Sequence, residues 1–125
     1  MTQRPRLFPG PEHPIAIAPA EGRVIVRSGD TVLADSPSAL TLREADYPPV
    51  LYIPRQDTIM SNLRASARTT YCPYKGEAGY FDIPALGESG ANAIWTYEQP
   101  YDAVAAIAGH LAFYPDRVTI EITPE

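Results

Sequence analysis

Fourteen prolines among 125 residues restrict the fold of this chain more than any other feature. Proline lacks a backbone N–H and fixes φ, so it ends helices and is confined to turns or strand edges. Little of the sequence between the prolines has the periodicity of a helix. The chain is therefore predicted to be mainly β, with about eight short strands and frequent turns.

The clearest strand is Arg23-Val24-Ile25-Val26-Arg27, a β-branched segment with period-two alternation. Ser28-Gly29-Asp30 forms a tight turn into a second strand over residues 31–35, so the pair is predicted to be a hairpin. One short helix is expected near residues 101–109, with Gly109 as its stop. Further strands are predicted at residues 39–44, 50–53, 69–72, 78–83, 91–97, 111–114 and 118–122.

Length and charge set the expected organisation and partners. A chain of 125 residues is expected to be one domain with one hydrophobic core. Residues 1–14 contain four prolines and are predicted to be an irregular arm, followed by a single folded domain over residues 15–125. The net charge of −5 argues against nucleic acid and anionic membranes, so neither is expected as a partner.

The single cysteine limits redox and metal chemistry. No internal disulfide can form, and zinc sites that need two thiolates are excluded. Because only His13 and His110 add further nitrogen ligands, no metal or cofactor is expected. No segment has the roughly 18 apolar residues of a membrane span, and the first residues lack the apolar core of a signal peptide. A cytoplasmic, reducing location is expected.

The stretch richest in candidate functional groups is Arg68-Thr69-Thr70-Tyr71-Cys72-Pro73-Tyr74-Lys75-Gly76. A thiolate is a strong nucleophile that a nearby cation stabilises, and Lys75 follows Cys72 closely in the chain. With His110 as base, Cys72 and His110 would be catalytic. The alternative is that Cys72 is a buried, small apolar residue and that His110 is a hydrogen-bonded core histidine.

Arg55 and Lys75 are candidates for holding an anion. Arginine presents a bidentate fork and lysine a point charge, and Arg55 stands at a predicted strand end, where a side chain can enter a cleft. The alternative is that both side chains form surface salt bridges. Tyr74, Trp95 and Tyr97 would line the same cleft and orient a flat ring, unless they simply fill an ordinary β core.

Several short motifs occur together in one order along the chain. They are Ala34-Asp35-Ser36, Tyr52-Ile53-Pro54-Arg55 with Asp57, Cys72-Pro73-Tyr74-Lys75-Gly76, Ala78 with Tyr80, Trp95-Thr96-Tyr97 followed by Pro100, and Ile107-Ala108-Gly109-His110-Leu111-Ala112-Phe113-Tyr114. In this ordered set the chain resembles the bacterial family catalogued as domain of unknown function 427. The resemblance covers most of the chain.

The resemblance implies a β-tent-like fold, in which two antiparallel sheets meet like the sides of a tent. Other β-tent domains, such as the B-type methionine sulfoxide reductases, commonly hold zinc through paired cysteines, which this chain lacks. Some catalogues label the family nucleotidyltransferase-like, but the chain has no Gly-Ser pair followed by spaced aspartates for two metal ions. The resemblance thus implies a fold and the location of a site, and no established activity.

These observations lead to one main functional hypothesis. The chain is expected to be a small cytoplasmic domain that binds a small, partly aromatic anion, nucleotide-like or phosphorylated, and whether it is an enzyme is left open. One alternative is a non-catalytic interaction module, for instance a homodimer, and another is thiol chemistry at Cys72. The cleft is predicted to be lined by Arg55, Cys72, Tyr74, Lys75, Trp95 and Tyr97.

Overall fold

A computed structural model describes residues 4–124 of the chain. The first three residues of the predicted arm, and Glu125 at the end of the predicted domain, lie outside the described residues. The described residues are mainly β, which confirms the predicted fold class. Their strands are β1 (Ile15–Pro19), β2 (Gly22–Ser28), β3 (Thr31–Ser36), β4 (Leu40–Glu44), β5 (Val50–Tyr52), β6 (Arg64–Cys72), β7 (Gly76–Asp82), β8 (Ile94–Thr96), β9 (Leu111–Phe113) and β10 (Thr119–Pro124).

The strands of residues 4–124 form three antiparallel sheets, with the orders β1-β4-β5, β10-β2-β3 and β6-β7-β8-β9. The sequence pattern predicted about eight strands, and the family resemblance implied two sheets, whereas residues 4–124 form ten strands in three sheets. Ile53 and Leu111 each donate a backbone hydrogen bond of 2.8 Å to the other's carbonyl oxygen. This isolated bridge joins the β1-β4-β5 sheet to the four-stranded sheet, and the two sheets enclose a cleft.

Two hairpins organise the chain around these sheets. The predicted hairpin is present as β2 and β3, and Gly29 at its turn has a φ of 57°. The second hairpin joins β6 and β7 and is closed by the pair of Cys72 and Gly76. Gly76 has a φ of 110°, a conformation that favours glycine. The tight turn between these two residues holds Lys75 close to Cys72, since the Lys75 N–H donates to the Cys72 carbonyl at 3.2 Å.

The helix expected near residues 101–109 is a 3₁₀ helix over Asp102–Ile107. Val104 has a φ of −125° and a ψ of 26°, which interrupts regular helical geometry. Val104 and Ile107 are nevertheless fully buried. The other 3₁₀ helices of the described residues are Arg55–Asp57, Met60–Asn62 and Pro84–Gly90. No helix within residues 4–124 combines the length and the apolar character needed to cross a membrane.

Alternation along β8 and β9 gives the four-stranded sheet two different faces. Ile94 pairs with Phe113 on one face, and Trp95 pairs with Ala112 on the other. The first face belongs to an aliphatic cluster made of Val24, Val26, Leu33, Ala34, Ala39, Ile53, Ile83, Ala93, Ile94, Leu111 and Phe113. The second face belongs to a tyrosine cluster made of Leu42, Tyr52, Ala78, Tyr80, Tyr97, Val104, Ile107 and Ala112.

The N-terminal arm lies against the β6-β7 hairpin. The Leu7 N–H donates to the Pro73 carbonyl at 3.0 Å, and the Tyr71 hydroxyl donates to the Pro5 carbonyl at 2.7 Å. These contacts cross between the arm and the segment that carries Cys72. The arm then leads into β1 and brings His13 to the end of β4.

Candidate functional site

The cleft between the β1-β4-β5 sheet and the four-stranded sheet has two adjoining compartments, with volumes of about 230 and 690 Å³. Glu44, Val50, Lys75 and Trp95 line both compartments, so the two are parts of one cleft. The smaller compartment reaches the rings of Tyr52, Tyr80 and Tyr97. The larger compartment extends past Cys72, Phe113 and Ile120.

The polar end of the cleft is an ion pair between Lys75 and Glu44. The Lys75 Nζ donates to Glu44 Oε1, and only 7% of Lys75 is exposed. The other carboxylate oxygen, Glu44 Oε2, accepts a hydrogen bond from His13 Nε2 at 2.8 Å. The imidazole of His13 stacks on the Tyr74 ring with a centroid distance of 3.9 Å. Each oxygen of the carboxylate therefore has its own basic partner, one of which comes from the N-terminal arm.

Strand pairing brings these side chains together. β1 pairs with β4 so that Ile15 lies opposite Glu44, which places His13 beside the end of β4. Leu42 and Glu44 are two residues apart on β4, so they share the face that is turned to the cleft. Lys75 reaches the same point from the turn of the β6-β7 hairpin.

The hydrogen bonds decide the charge state of Glu44. Burial alone would raise the pKa of the Glu44 carboxyl, but the hydrogen bonds from Lys75 and His13 outweigh burial and lower it. Glu44 is therefore ionised at neutral pH. The cleft offers a ligand both an acceptor carboxylate and a donor ammonium, side by side.

Aromatic side chains form the walls of the cleft. Trp95 Nε1 donates to the Tyr52 hydroxyl at 3.2 Å, and the Trp95 ring packs against the Tyr114 ring with centroids 4.5 Å apart. Burial raises the pKa of Tyr52 to about 12, and burial also raises the pKa of Tyr97. Both phenols keep their protons at neutral pH. The Tyr97 hydroxyl has no hydrogen-bond partner within residues 4–124, so it is free to donate to a ligand.

Four of the predicted site residues lie along this cleft. Lys75 and Trp95 line both compartments, Tyr97 lines the smaller one, and Cys72 lines the larger one. The Cys72 Sγ is 3.8 Å from the Lys75 Nζ. Tyr74 has a different position from the predicted one, because its ring stacks on His13 and supports the ion pair from the side of the arm.

Arg55 and His110 lie together in a separate depression of about 380 Å³. The Ile53–Leu111 bridge explains this position, because it holds the segment after β5 against the segment before β9. Arg55 and Lys75 were predicted to share one cleft, but in the structure they line two separate depressions. His110 is likewise in a different depression from Cys72 and is not positioned as its base.

Glu44, His13, Tyr52 and Tyr80 line or support the cleft but were not predicted as site residues. Glu44 could have been found from the sequence, because it occupies an inward position of an alternating strand, where an acidic side chain is rarely left without a partner. His13 had none, because its contact depends on the path of an irregular arm. Tyr52 and Tyr80 were noted only as members of the ordered family motifs.

No group of three or more His, Cys, Asp and Glu side chains within residues 4–124 is arranged to hold a metal ion. Comparison with curated proteins finds none that matches the chain. Comparison with family models finds a match to a domain of unknown function (DUF427), which spans residues 16–124. That match covers nearly the whole chain and agrees with the family predicted from the ordered motifs. The chain belongs to the DUF427 family.

Proposed function

We propose that this domain binds a small, planar, heteroaromatic molecule in the aromatic cleft. The ring lies among Tyr52, Trp95 and Tyr97, and an edge with one donor and one acceptor meets Glu44 and Lys75. The observation that carries the proposal is the Lys75–Glu44 pair, an ionised donor and acceptor buried at the end of an aromatic cavity.

Fold stability is a poor explanation for this pair. Removing two charges from water costs several kcal/mol, and a buried ion pair often stabilises a protein no more than well-packed apolar side chains of similar size would. The side chains of Lys75 and Glu44 are only 9% and 14% exposed, so most of this cost applies here. A role in recognition accounts for a pair that stability alone does not require.

The size and lining of the cleft fit a small molecule. Ligand sites typically have volumes of about 300–1,000 Å³, apolar walls and a few convergent polar groups. The smaller compartment, where the ring would lie, has about 230 Å³ and opens into the larger compartment of about 690 Å³. The unpartnered Tyr97 hydroxyl adds a third polar group to the smaller compartment. Aromatic rings in these walls stack favourably on flat ligands.

The pairing of Lys75 also narrows the class of ligand. Because Glu44 already neutralises Lys75, a phosphate placed there would meet a carboxylate as well as an ammonium. A neutral edge with one donor and one acceptor, such as that of a nucleobase, matches both groups. Of the predicted nucleotide-like ligand, the base is therefore assigned to the Lys75–Glu44 pair, and the phosphate is not.

A thermal-shift panel tests the proposal with free nucleobases, nucleosides and other bicyclic heteroaromatics. A ligand at 100 times its dissociation constant adds about 2.7 kcal/mol to the free energy of unfolding. This corresponds to a midpoint shift of several degrees in a domain of this size. The shift is expected in the unmodified chain and in Arg55→Gln, the control in the other depression, and is expected to vanish in Lys75→Met. A panel without any shift, together with a stable dimer in sedimentation, would instead favour the interaction-module alternative.

Thiol chemistry at Cys72 is a second candidate, favoured by the 3.8 Å distance between Cys72 Sγ and Lys75 Nζ. The Lys75 ammonium can donate a hydrogen bond to the Cys72 sulfur at that distance, and the thiolate is the form of cysteine that alkylating agents attack. In this proposal Cys72 forms a thioether by displacing a halide from an alkylating probe, and its proton passes to solvent. Alkylation by iodoacetamide at neutral pH is expected to be faster than in Lys75→Gln. Equal rates in the two chains would remove this candidate.

A further inference from the structure

We propose that the depression around Arg55 and His110 is a second binding site, which takes a small oxyanion such as a phosphate or carboxylate group. The site goes beyond the proposed function, since none of its lining residues lines the aromatic cleft. Its volume of about 380 Å³ leaves room for such a group. The proposal rests on how Arg55 uses its hydrogen-bond donors.

Of the two Arg55 donors that point along one edge of the guanidinium, only one has a hydrogen-bond partner within residues 4–124. In arginine, Nε–H and one Nη2–H point along the same edge and can hold two oxygens of one anion. At Arg55, Nη2 donates to Glu98 Oε1 at 3.3 Å, whereas Nε is buried and has no hydrogen-bond partner within residues 4–124. A buried donor without a partner costs free energy and calls for a missing acceptor.

In Arg23, both donors along the corresponding edge of the guanidinium bind one carboxylate. Its Nε donates to Asp35 Oδ1 at 2.6 Å, and its Nη2 donates to Asp35 Oδ2 at 2.5 Å. The carboxylate of Glu98 contacts Arg55 through one oxygen and at a longer distance. An incoming anion with two oxygens on one atom would bind Arg55 as Asp35 binds Arg23, and would satisfy the donor that Glu98 leaves unpaired.

Two neighbouring side chains complete the site. The carbonyl of Ala108 can only accept, so the contact of 3.1 Å means that His110 Nδ1 carries a proton and donates it. That bond fixes the orientation of the imidazole beside the depression. The exposed amide of Gln56 supplies a further donor at the edge of the depression.

Glu98 is the natural competitor for this site. It lines the depression and also an adjoining groove with Glu77, so its charge opposes an incoming anion. Its side chain is 64% exposed, and an exposed ion pair contributes little to stability, so Glu98 can turn into solvent when an anion arrives.

The test is an NMR titration of the whole chain with inorganic phosphate, and separately with acetate, at constant ionic strength. The resonance of the Arg55 Nε–H group is followed directly, because this donor is the one without a partner within residues 4–124 at that edge. We expect a saturable shift of this resonance with at least one of the two anions. The Nε–H of Arg23 is the internal control and is expected not to move, because Asp35 already occupies that edge. Comparing the phosphate titration with the acetate titration shows whether the site selects tetrahedral or planar oxyanions.

Three variants sharpen the result. Arg55→Lys keeps the charge, lacks the fork and is expected to lose the saturable response of neighbouring backbone amides. Glu98→Gln is expected to bind about fivefold more tightly, the change that a unit charge at about 4 Å makes in water. Lys75→Met, in the aromatic cleft, is expected to leave anion binding unchanged. A linear response, equal shifts at Arg23 and Arg55, or unchanged affinity in Arg55→Lys would each overturn the proposal.

Discussion

The two faces of the four-stranded sheet pack against very different interiors. The aliphatic cluster packs hydrocarbon side chains from β2 and β3 against Ile94, Leu111 and Phe113. The tyrosine cluster, on the other face, contains three tyrosines and borders a cavity that ends in an ion pair. One sheet therefore supports an aliphatic core on one side and, on the other, the smaller compartment of the cleft with its ion pair. The difference indicates that some side chains are buried to stabilise the fold and others to form a binding site. Substitutions in the two clusters can separate these two roles.

The largest effect is expected from Ile94→Ala in the aliphatic cluster. Ile94 is fully buried, so the substitution loses apolar burial and leaves a cavity. The free energy of unfolding is expected to fall by about 2–5 kcal/mol in urea denaturation. The matched control is Ile59→Ala, because Ile59 is 42% exposed and its loss is expected to cost less than about 0.5 kcal/mol. Similar costs at the two positions would mean that the aliphatic cluster is not the stabilising core.

The next effect is expected from Lys75→Met at the cleft. This substitution leaves Glu44 buried with His13 as its one remaining hydrogen-bond partner among the described side chains. Breaking a buried pair costs about 3–5 kcal/mol, and the remaining histidine bond is expected to reduce this cost to about 2 kcal/mol. Urea denaturation at neutral pH measures it. Stability equal to that of the unmodified chain would show that the pair is already well solvated.

Lowering the pH is expected to have a smaller effect on the free energy of unfolding, through the Glu44 carboxyl. The pKa of Glu44 is lowered in the folded state, so its contribution to stability is present above its ordinary pKa of 4.5 and is lost as pH falls through the folded value. The stability advantage of the unmodified chain over Glu44→Gln should therefore shrink as the pH decreases from about 5 to about 3. An advantage that grows with acid would contradict the assigned sign.

The smallest effect on stability is expected from Tyr97→Phe. The Tyr97 hydroxyl has no partner within residues 4–124, so its removal should change the free energy of unfolding by less than about 0.5 kcal/mol. Tyr52→Phe is the matched comparison, because it leaves the indole N–H of Trp95 unpaired and should cost about 1 kcal/mol. Binding of a heteroaromatic ligand should weaken in Tyr97→Phe even though its stability is unchanged.

Local patterns in the sequence predicted much of the fold. The alternating segment around Ile25 and the turn at Gly29 define a hairpin without any long-range information. The helix near residues 101–109 was located correctly, but its 3₁₀ geometry depends on how Val104 is packed. The Ile53–Leu111 bridge holds the β1-β4-β5 sheet against the four-stranded sheet, and no local pattern in the sequence predicts it.

The candidate site was predictable only in part. Lys75 was selected as a cation that follows Cys72 closely, and Trp95 and Tyr97 as aromatic side chains that could orient a flat ring. All three line the smaller compartment of the cleft. Glu44 lies 31 positions from both of its partners, His13 and Lys75, so sequence spacing could not bring the three together. Arg55 and His110 were selected as functional residues, but the strand connections place them in a separate depression.

The most direct test of the account is the double variant Lys75→Met/Glu44→Leu, measured for both stability and ligand binding. If the pair is there for recognition, the double variant regains most of the stability that Lys75→Met loses, since apolar side chains replace a costly pair of charges. It also gives no thermal shift with the heteroaromatic ligands that shift the unmodified chain. A double variant that stays as unstable as the single one, or that still binds those ligands, would contradict the claim that the Lys75–Glu44 pair forms the recognition end of the cleft.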